Sequence, residues 1–360
     1  MNRRTFILII VVLLFVGTGV GAYYLLVKQP GSKTEVPVVQ EEPAPRQPEL
    51  LVAETVISPV LSFNGETVWF MSREGRLYRQ AIEAGAVKEE YLLPASPAGG
   101  PAPITNPARV IWQQRGNDFI VEQSVDGHTR YQFYGADKKV FTIYDERIRD
   151  PAFLADDKQV VYIWVGEGGR AELSVAAPDT ANYVKLSDLY GPDYELVVSS
   201  AKNQVLLFVD DAQNPDNLLL VDLDTVRYTL LDEKVRYSGA KFSPDGNFAV
   251  AEKAGALVIY DLQSLSPLSP GEGSPLSNSS PLSGGGEVGG VAWSSDSREL
   301  YIFAAGKIRA YNVLTQEWRE VYTFPADSLL GPAEIFLHPT KPILFFTDSA
   351  SGYLYRLDLQ

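Results

Sequence analysis

The chain has 360 residues, a formal charge of −14 at pH 7, 45% apolar and 11% aromatic residues, no cysteine and two histidines. The absence of Cys excludes disulfides, thiolate metal sites, cysteine nucleophiles and a lipid-modified N-terminal cysteine. His128 and His338 alone cannot build a multi-histidine metal centre, so no metal and no cofactor is expected. The acidic balance lacks the basic footprint that a phosphate backbone requires, and nucleic acid is not an expected partner.

Residues 1–4 carry two arginines, and residues 5–27 follow without a charged side chain. As a helix this run spans roughly 34 Å, enough for a bilayer core of roughly 30 Å. The flanking arginines predict a single-pass signal-anchor helix with a cytoplasmic N-terminus and everything after it outside. Val20-Gly21-Ala22 offers small residues for the competing reading, a cleaved signal. Tyr23 to Val27 extend the run beyond that point, which a cleaved signal does not need, and tyrosines suit a membrane interface. Residues 28–50 alternate Pro with Glu and Gln, a mixture that stays extended and reads as a stalk.

From residue 51 to 360 the period-two signal dominates. Val68 to Met71, Val160 to Trp164, Val205 to Val209, Leu300 to Phe303 and Ile343 to Phe346 are short β-branched and aromatic runs. Phe242-Ser243-Pro244-Asp245-Gly246 reads as a strand end and tight turn, followed by strands through Ala251 and Leu262. Aligning the chain on Asp245 places equivalent positions at 64, 115, 156, 201, 245, 296 and 340, separated by 51, 41, 45, 44, 51 and 44 residues. Seven units of this period predict an all-β, seven-bladed β-propeller with four strands per blade, six or eight blades being the alternatives. After residue 340 only two more strands fit, so residues 51–57 are expected to supply the outer strand of the last blade and close the ring.

Phe242-Ser243-Pro244-Asp245-Gly246, Trp293-Ser294-Ser295-Asp296 and Phe153-Leu154-Ala155-Asp156-Asp157 resemble the first-strand turn of the WD-repeat-like propeller repeats of TolB-type proteins. The Trp-Asp dipeptide of true WD repeats is absent. The resemblance implies protein interaction in an envelope complex. TolB itself is released into the periplasm, whereas this chain reads as anchored.

Residues 263–289 repeat Ser-Pro-Leu-Ser in a Ser/Pro/Gly-rich stretch that cannot order itself, and they are expected to replace the outer strand of the fifth blade. Asn278-Ser279-Ser280 fits a glycosylation acceptor within it. Asp156-Asp157 and Asp210-Asp211 look paired, but they fall in turns where an Asx side chain caps its own backbone. Asp126-Gly127 reads as a hairpin turn, and His338 before Pro339 as a turn-capping or surface residue. No phosphate loop, nucleophile elbow or His-Glu-x-x-His motif is present, so no catalytic residue is expected.

The loops that enter each innermost strand surround the channel mouth of a propeller. Here they carry Arg149, Tyr190, Tyr194, Arg236 and Tyr237, residue types favoured at binding hot spots. The sequence therefore reads as a non-enzymatic, membrane-anchored extracytoplasmic platform for an envelope protein, peptide or glycan. A propeller hydrolase or lactonase with carboxylates in the channel, and a structural spacer, are the alternative readings.

Overall fold

The computed structural model describes residues 47–359, apart from 84, 92, 94–103, 137–139, 210–216, 234–236, 254–255 and 269–289. The segment 5–27, the glycosylation triplet at Asn278 and the binding candidate Arg236 lie outside the described residues. Among the described residues no helix is long and apolar enough to cross a membrane.

Seven four-stranded antiparallel sheets make up the fold. Strand β1 (Glu49–Val52) is set aside for the last sheet. Blade one is β2 (Val56–Leu61), β3 (Thr67–Ser72), β4 (Leu77–Ala81) and β5 (Glu89–Tyr91). Blade two is β6 (Pro107–Trp112), β7 (Phe119–Val125), β8 (His128–Gly135) and β9 (Val140–Ile143). Blade three is β10 (Ile148–Phe153), β11 (Val160–Val165), β12 (Ala171–Ala176) and β13 (Val184–Leu189). Blade four is β14 (Tyr194–Val198), β15 (Gln204–Val209), β16 (Leu218–Asp222) and β17 (Arg227–Asp232). Blade five is β18 (Tyr237–Phe242), β19 (Phe248–Lys253), β20 (Ala256–Asp261) and β21 (Ser266–Leu268). Blade six is β22 (Val291–Trp293), β23 (Glu299–Ala304), β24 (Lys307–Asn312) and β25 (Glu317–Thr323). Blade seven is β26 (Pro332–Leu337), β27 (Ile343–Asp348) and β28 (Leu354–Asp358), completed by β1.

The second strands are almost wholly apolar, such as Val160-Val161-Tyr162-Ile163, because both of their faces are covered by neighbouring blades. Each blade junction therefore holds its own core cluster. Leu206 and Phe208 pack with Tyr237 and Tyr260 between blades four and five, and Val250 and Ile259 with Val291 and Trp293 between five and six. Val52, Val56 and Phe345 fill the seam between seven and one.

The aligned turns hold in all seven blades. Two residues before each aligned position, at Ser62, Gln113, Leu154, Ser199, Ser243, Ser294 and His338, a backbone N–H donates to a carbonyl five residues on. At Ser62, Ser243 and Ser294 the hydroxyl also donates to the following Asx at 2.6–2.7 Å and accepts the N–H that opens the second strand. His338 makes the same kind of cap with Nδ1, which accepts the N–H groups of Thr340 and Lys341. Asp126 and Gly127, both at positive φ, form the expected hairpin turn.

Three boundaries differ from the sequence reading. The closing strand is Glu49–Val52, paired Glu49 to Arg356 and Leu50 to Tyr355, not residues 51–57. Val56 and Ile57 instead open the innermost strand of blade one, because the Ala53-Glu54-Thr55 turn breaks the apolar run. The stalk therefore cannot extend to residue 50. Blade five also keeps its outer strand: Ser266–Leu268, within the low-complexity stretch, pair with Ile259–Asp261.

Candidate binding channel

Each innermost strand runs from the entry loops toward the turn described above, so entry loops and second-to-third strand turns share one end of the propeller. The turns between first and second strands share the other. Glu49 begins the fourth strand of its blade and so lies at the turn end.

Counting back four residues from the turn position gives one residue per blade near the entry end: Ser58, Arg109, Asp150, Glu195, Gly239, Gly290 and Glu334. Register slips in β2, β6, β10, β18 and β26 lie beside this level, and Ser58 and Asp150 have positive φ. A bulge re-aims a side chain, and here it turns polar groups toward the axis. Two residues further along, Val60, Ile111, Ala152, Val197, Lys241, Ala292 and Phe336 form a mostly apolar level. Residues of both levels from blades one to five and seven line a cavity of about 400 Å³ whose wall includes Arg109, Trp112, Asp150, Lys241, Glu334 and Phe336.

The chemistry of the channel centres on Arg109. Its Nε donates to Glu122 Oε2 at 3.1 Å and its Nη2 to Asp150 Oδ1 at 2.8 Å, linking blades two and three. Asp150 Oδ2 accepts the Leu196 N–H from blade four at 2.7 Å, and the Asp150 N–H donates to Tyr131 Oη at 3.3 Å. Burial, then the carboxylates of Glu122 and Asp150, push the Tyr131 phenol well above the usual tyrosine range. Ser58 Oγ accepts the Val110 N–H at 3.0 Å, and Trp112 Nε1 donates to the Ser58 carbonyl at 2.7 Å. Both oxygens of Asp150 are thus committed to donors that hold blades together. That suits positioning and counter-charge rather than proton transfer. Among the described residues no group of three or more His, Asp or Glu is arranged to hold a metal ion.

The structure separates the residues expected at the channel mouth. Tyr237 is fully buried, its hydroxyl 3.1 Å from that of Tyr260, which in turn donates to Asp232 at 2.9 Å. Tyr194 opens β14 and is buried in the core between blades three and four. Both close the core at strand ends, because the first residue of an innermost strand is covered by the adjoining blade. Tyr190 is fully exposed in the loop before Gly191-Pro192, and Arg149 is exposed on β10 beside Asp150. On the same end, Arg147 holds the Asp145 carboxyl down to about 2 through paired hydrogen bonds, and its guanidinium lies 5.1 Å from the Trp164 ring centre.

Arg109, Glu122, Asp150 and Glu334 escaped the sequence reading. Their partners lie 13 and 41 residues apart in the case of Arg109, and only the ring geometry joins them. The turn alignment held the signal that finds them, through positions four before and nine after each turn residue.

No protein-family model matches the chain, and no curated protein matches it. Among solved structures, the β-propeller domain of Cps50 (Swd1) from Myceliophteria thermophila matches with a TM-score of 0.57 at 9% identity. The match covers 87% of this chain and all of that domain. This likeness carries the fold: the chain is a seven-bladed, WD-repeat-like β-propeller.

Proposed function

We propose that this protein is a non-catalytic binding platform, tethered to a membrane through residues 5–27, that engages a protein or peptide partner of the cell envelope on its entry face. The observation that carries the reading is a fully exposed Tyr190 and an exposed Arg149 at the entry end, beside a channel lined by Arg109, Asp150 and Glu334. An exposed tyrosine on a loop held by rigid blades is a low-entropy contact residue. The TolB-type resemblance and the charge-free run support an extracytoplasmic location. A glycan in place of a peptide, and a purely structural spacer, fit the same surface less well, since neither calls for ion pairs around the axis.

The test is capture from solubilised envelope by the full-length protein, compared with Tyr190→Ala/Arg149→Glu. A partner held by the native protein and lost from the equally stable variant supports the platform. Equal capture by both removes the entry face from the reading. Resistance of the protein to alkaline extraction from membranes tests the anchor, and its release into the soluble fraction would refute it.

A further inference from the structure

Among the described residues the wall of the channel cavity carries two cations, and they differ in their partners. Arg109 of blade two is held by Glu122 at 3.1 Å and by Asp150 at 2.8 Å, so its charge is already matched. Lys241 of blade five has no carboxylate within ion-pair distance among the described residues. Its Nζ donates to one acceptor, the Val291 carbonyl of blade six, at 3.2 Å. A neutral carbonyl leaves the ammonium's other N–H groups, and the charge itself, without a partner. The side chain is half-buried and lines the cavity of about 400 Å³.

Val60, Ile111, Val197 and Phe336 stand on the same axial level as Lys241 and line the same cavity. This apolar wall is held in place. Phe336 stacks on Phe345 with ring centres 5.3 Å apart, and Trp112 is pinned by its Nε1 bond to the Ser58 carbonyl and by Phe119. A pre-formed cavity with apolar walls and one convergent charge has the build of a small-ligand site, and its volume falls within their range of roughly 300–1,000 Å³. Asp150 and Glu334 share the wall and limit the anion that fits. A carboxylate brings a single charge to the Lys241 ammonium, whereas a phosphate brings a second one to face these carboxylates.

We propose that the channel is a binding site for a carboxylate on an apolar body, with the Lys241 ammonium as counter-ion and Val60, Ile111 and Phe336 along the body. A free organic acid and the C-terminus of a peptide ending in an apolar residue present the same chemistry. The peptide source rests on the binding reading of the entry face, and the free acid does not.

The experiment is isothermal titration calorimetry of the full-length protein in detergent micelles at pH 7, with protein-free micelles as the blank. The probes are 3-phenylpropionate, its uncharged amide, and a Gly/Ser peptide ending in phenylalanine as the free acid or the amide. At least one acid is expected to bind, and its amide to bind about tenfold weaker or worse, through loss of a charge-assisted hydrogen bond. Lys241→Met keeps the stem and should weaken the acid to the same degree, while Lys241→Arg should restore it. The contrast of acid and amide on the native protein decides even where a variant fails to fold. Binding of neither acid, equal binding of acid and amide, or equal binding by a folded Lys241→Met overturns the proposal. Tighter binding of 3-phenylpropionate assigns the site to a free acid, and tighter binding of the peptide acid assigns it to a partner's C-terminus. Partner capture that persists while both acids fail to bind leaves the platform standing and removes the channel site.

Discussion

The imidazole of His338 lies against Gly65 across the seam between the last blade and the first. A Cβ built on Gly65 would stand 2.6 Å from His338 Nε2, and Gly65 has a φ of +73°. Sterics and backbone conformation therefore both demand glycine at this position. Gly65→Ala is expected to destabilise the fold by about 2 kcal/mol, combining left-handed strain with a clash against a buried ring. Thermal unfolding monitored by circular dichroism checks this, with Gly85→Ala as the comparison, since nothing lies within 4 Å of that Cβ and only the backbone penalty remains.

The same histidine gives stability a pH dependence. Burial, then the positive charge of Lys341, lowers its pKa below the ordinary 6.5, and Arg356 adds to this. Nδ1 accepts two backbone N–H groups, so protonation there breaks the turn cap. The neutral form is the one the fold stabilises. Its contribution is fully present above pH 6.5 and is lost as pH falls below 6.5 through the lowered folded-state value. In His338→Asn an amide oxygen keeps a cap without titrating. The difference in melting temperature between the two proteins should shrink or reverse as pH drops from 7.5 to 5. A constant difference across that range would remove His338 from the acid response.

Ring closure predicts a sharp truncation boundary. Chains beginning at residue 47 keep β1, whereas chains beginning at 53 lose Val52 from the core at the seam and leave β28 as an unpaired edge. Gln80 Nε2 also loses the Leu51 carbonyl, to which it donates at 2.7 Å. The shorter chain is expected to melt more than 10 °C lower and to aggregate on heating, as light scattering would register. Equal melting temperatures would mean that blade seven stands with three strands.

How far the sequence revealed this architecture depends on how local each signal is. All seven turns could be aligned because strand, tight turn and strand occupy some ten consecutive residues, as from Phe242 to Ala251. The closing strand was misplaced because residues 51–57 are mostly apolar, and the break at Glu54 and Thr55 was not read as the turn that separates β1 from β2. Ser266–Leu268 belong by composition to the low-complexity stretch, although the three residues pair with β20. Tyr190 and Tyr237 are equivalent in composition terms, one in the loop before an innermost strand and the other opening one. Only packing decides that one is wholly exposed and the other wholly buried.

That contrast predicts opposite outcomes for two tyrosine truncations. Tyr237→Ala removes a fully buried ring from the cluster of Leu206, Phe208 and Tyr260, and its hydroxyl from the Tyr260 pair. It should cost about 3–5 kcal/mol, so any loss of binding in it would reflect unfolding. Tyr190→Ala should stay within about 0.5 kcal/mol of the native protein, because the ring is already in water. Chemical denaturation of the two variants measures both.

Arg109 supplies the last prediction. Its guanidinium neutralises Glu122 and Asp150, and its side chain is 25% exposed. Arg109→Met keeps the aliphatic stem and leaves two carboxylates facing one another at the channel wall. The expected cost is about 2 kcal/mol, less than for a fully buried pair because water reaches the channel. Adding Glu122→Gln should return part of the loss, since one unpaired charge disappears while Asp150 keeps the Leu196 N–H. A double-mutant cycle read by chemical denaturation measures the coupling. If the two substitutions are additive, the carboxylates are already screened by solvent and the guanidinium does not hold blades two and three together.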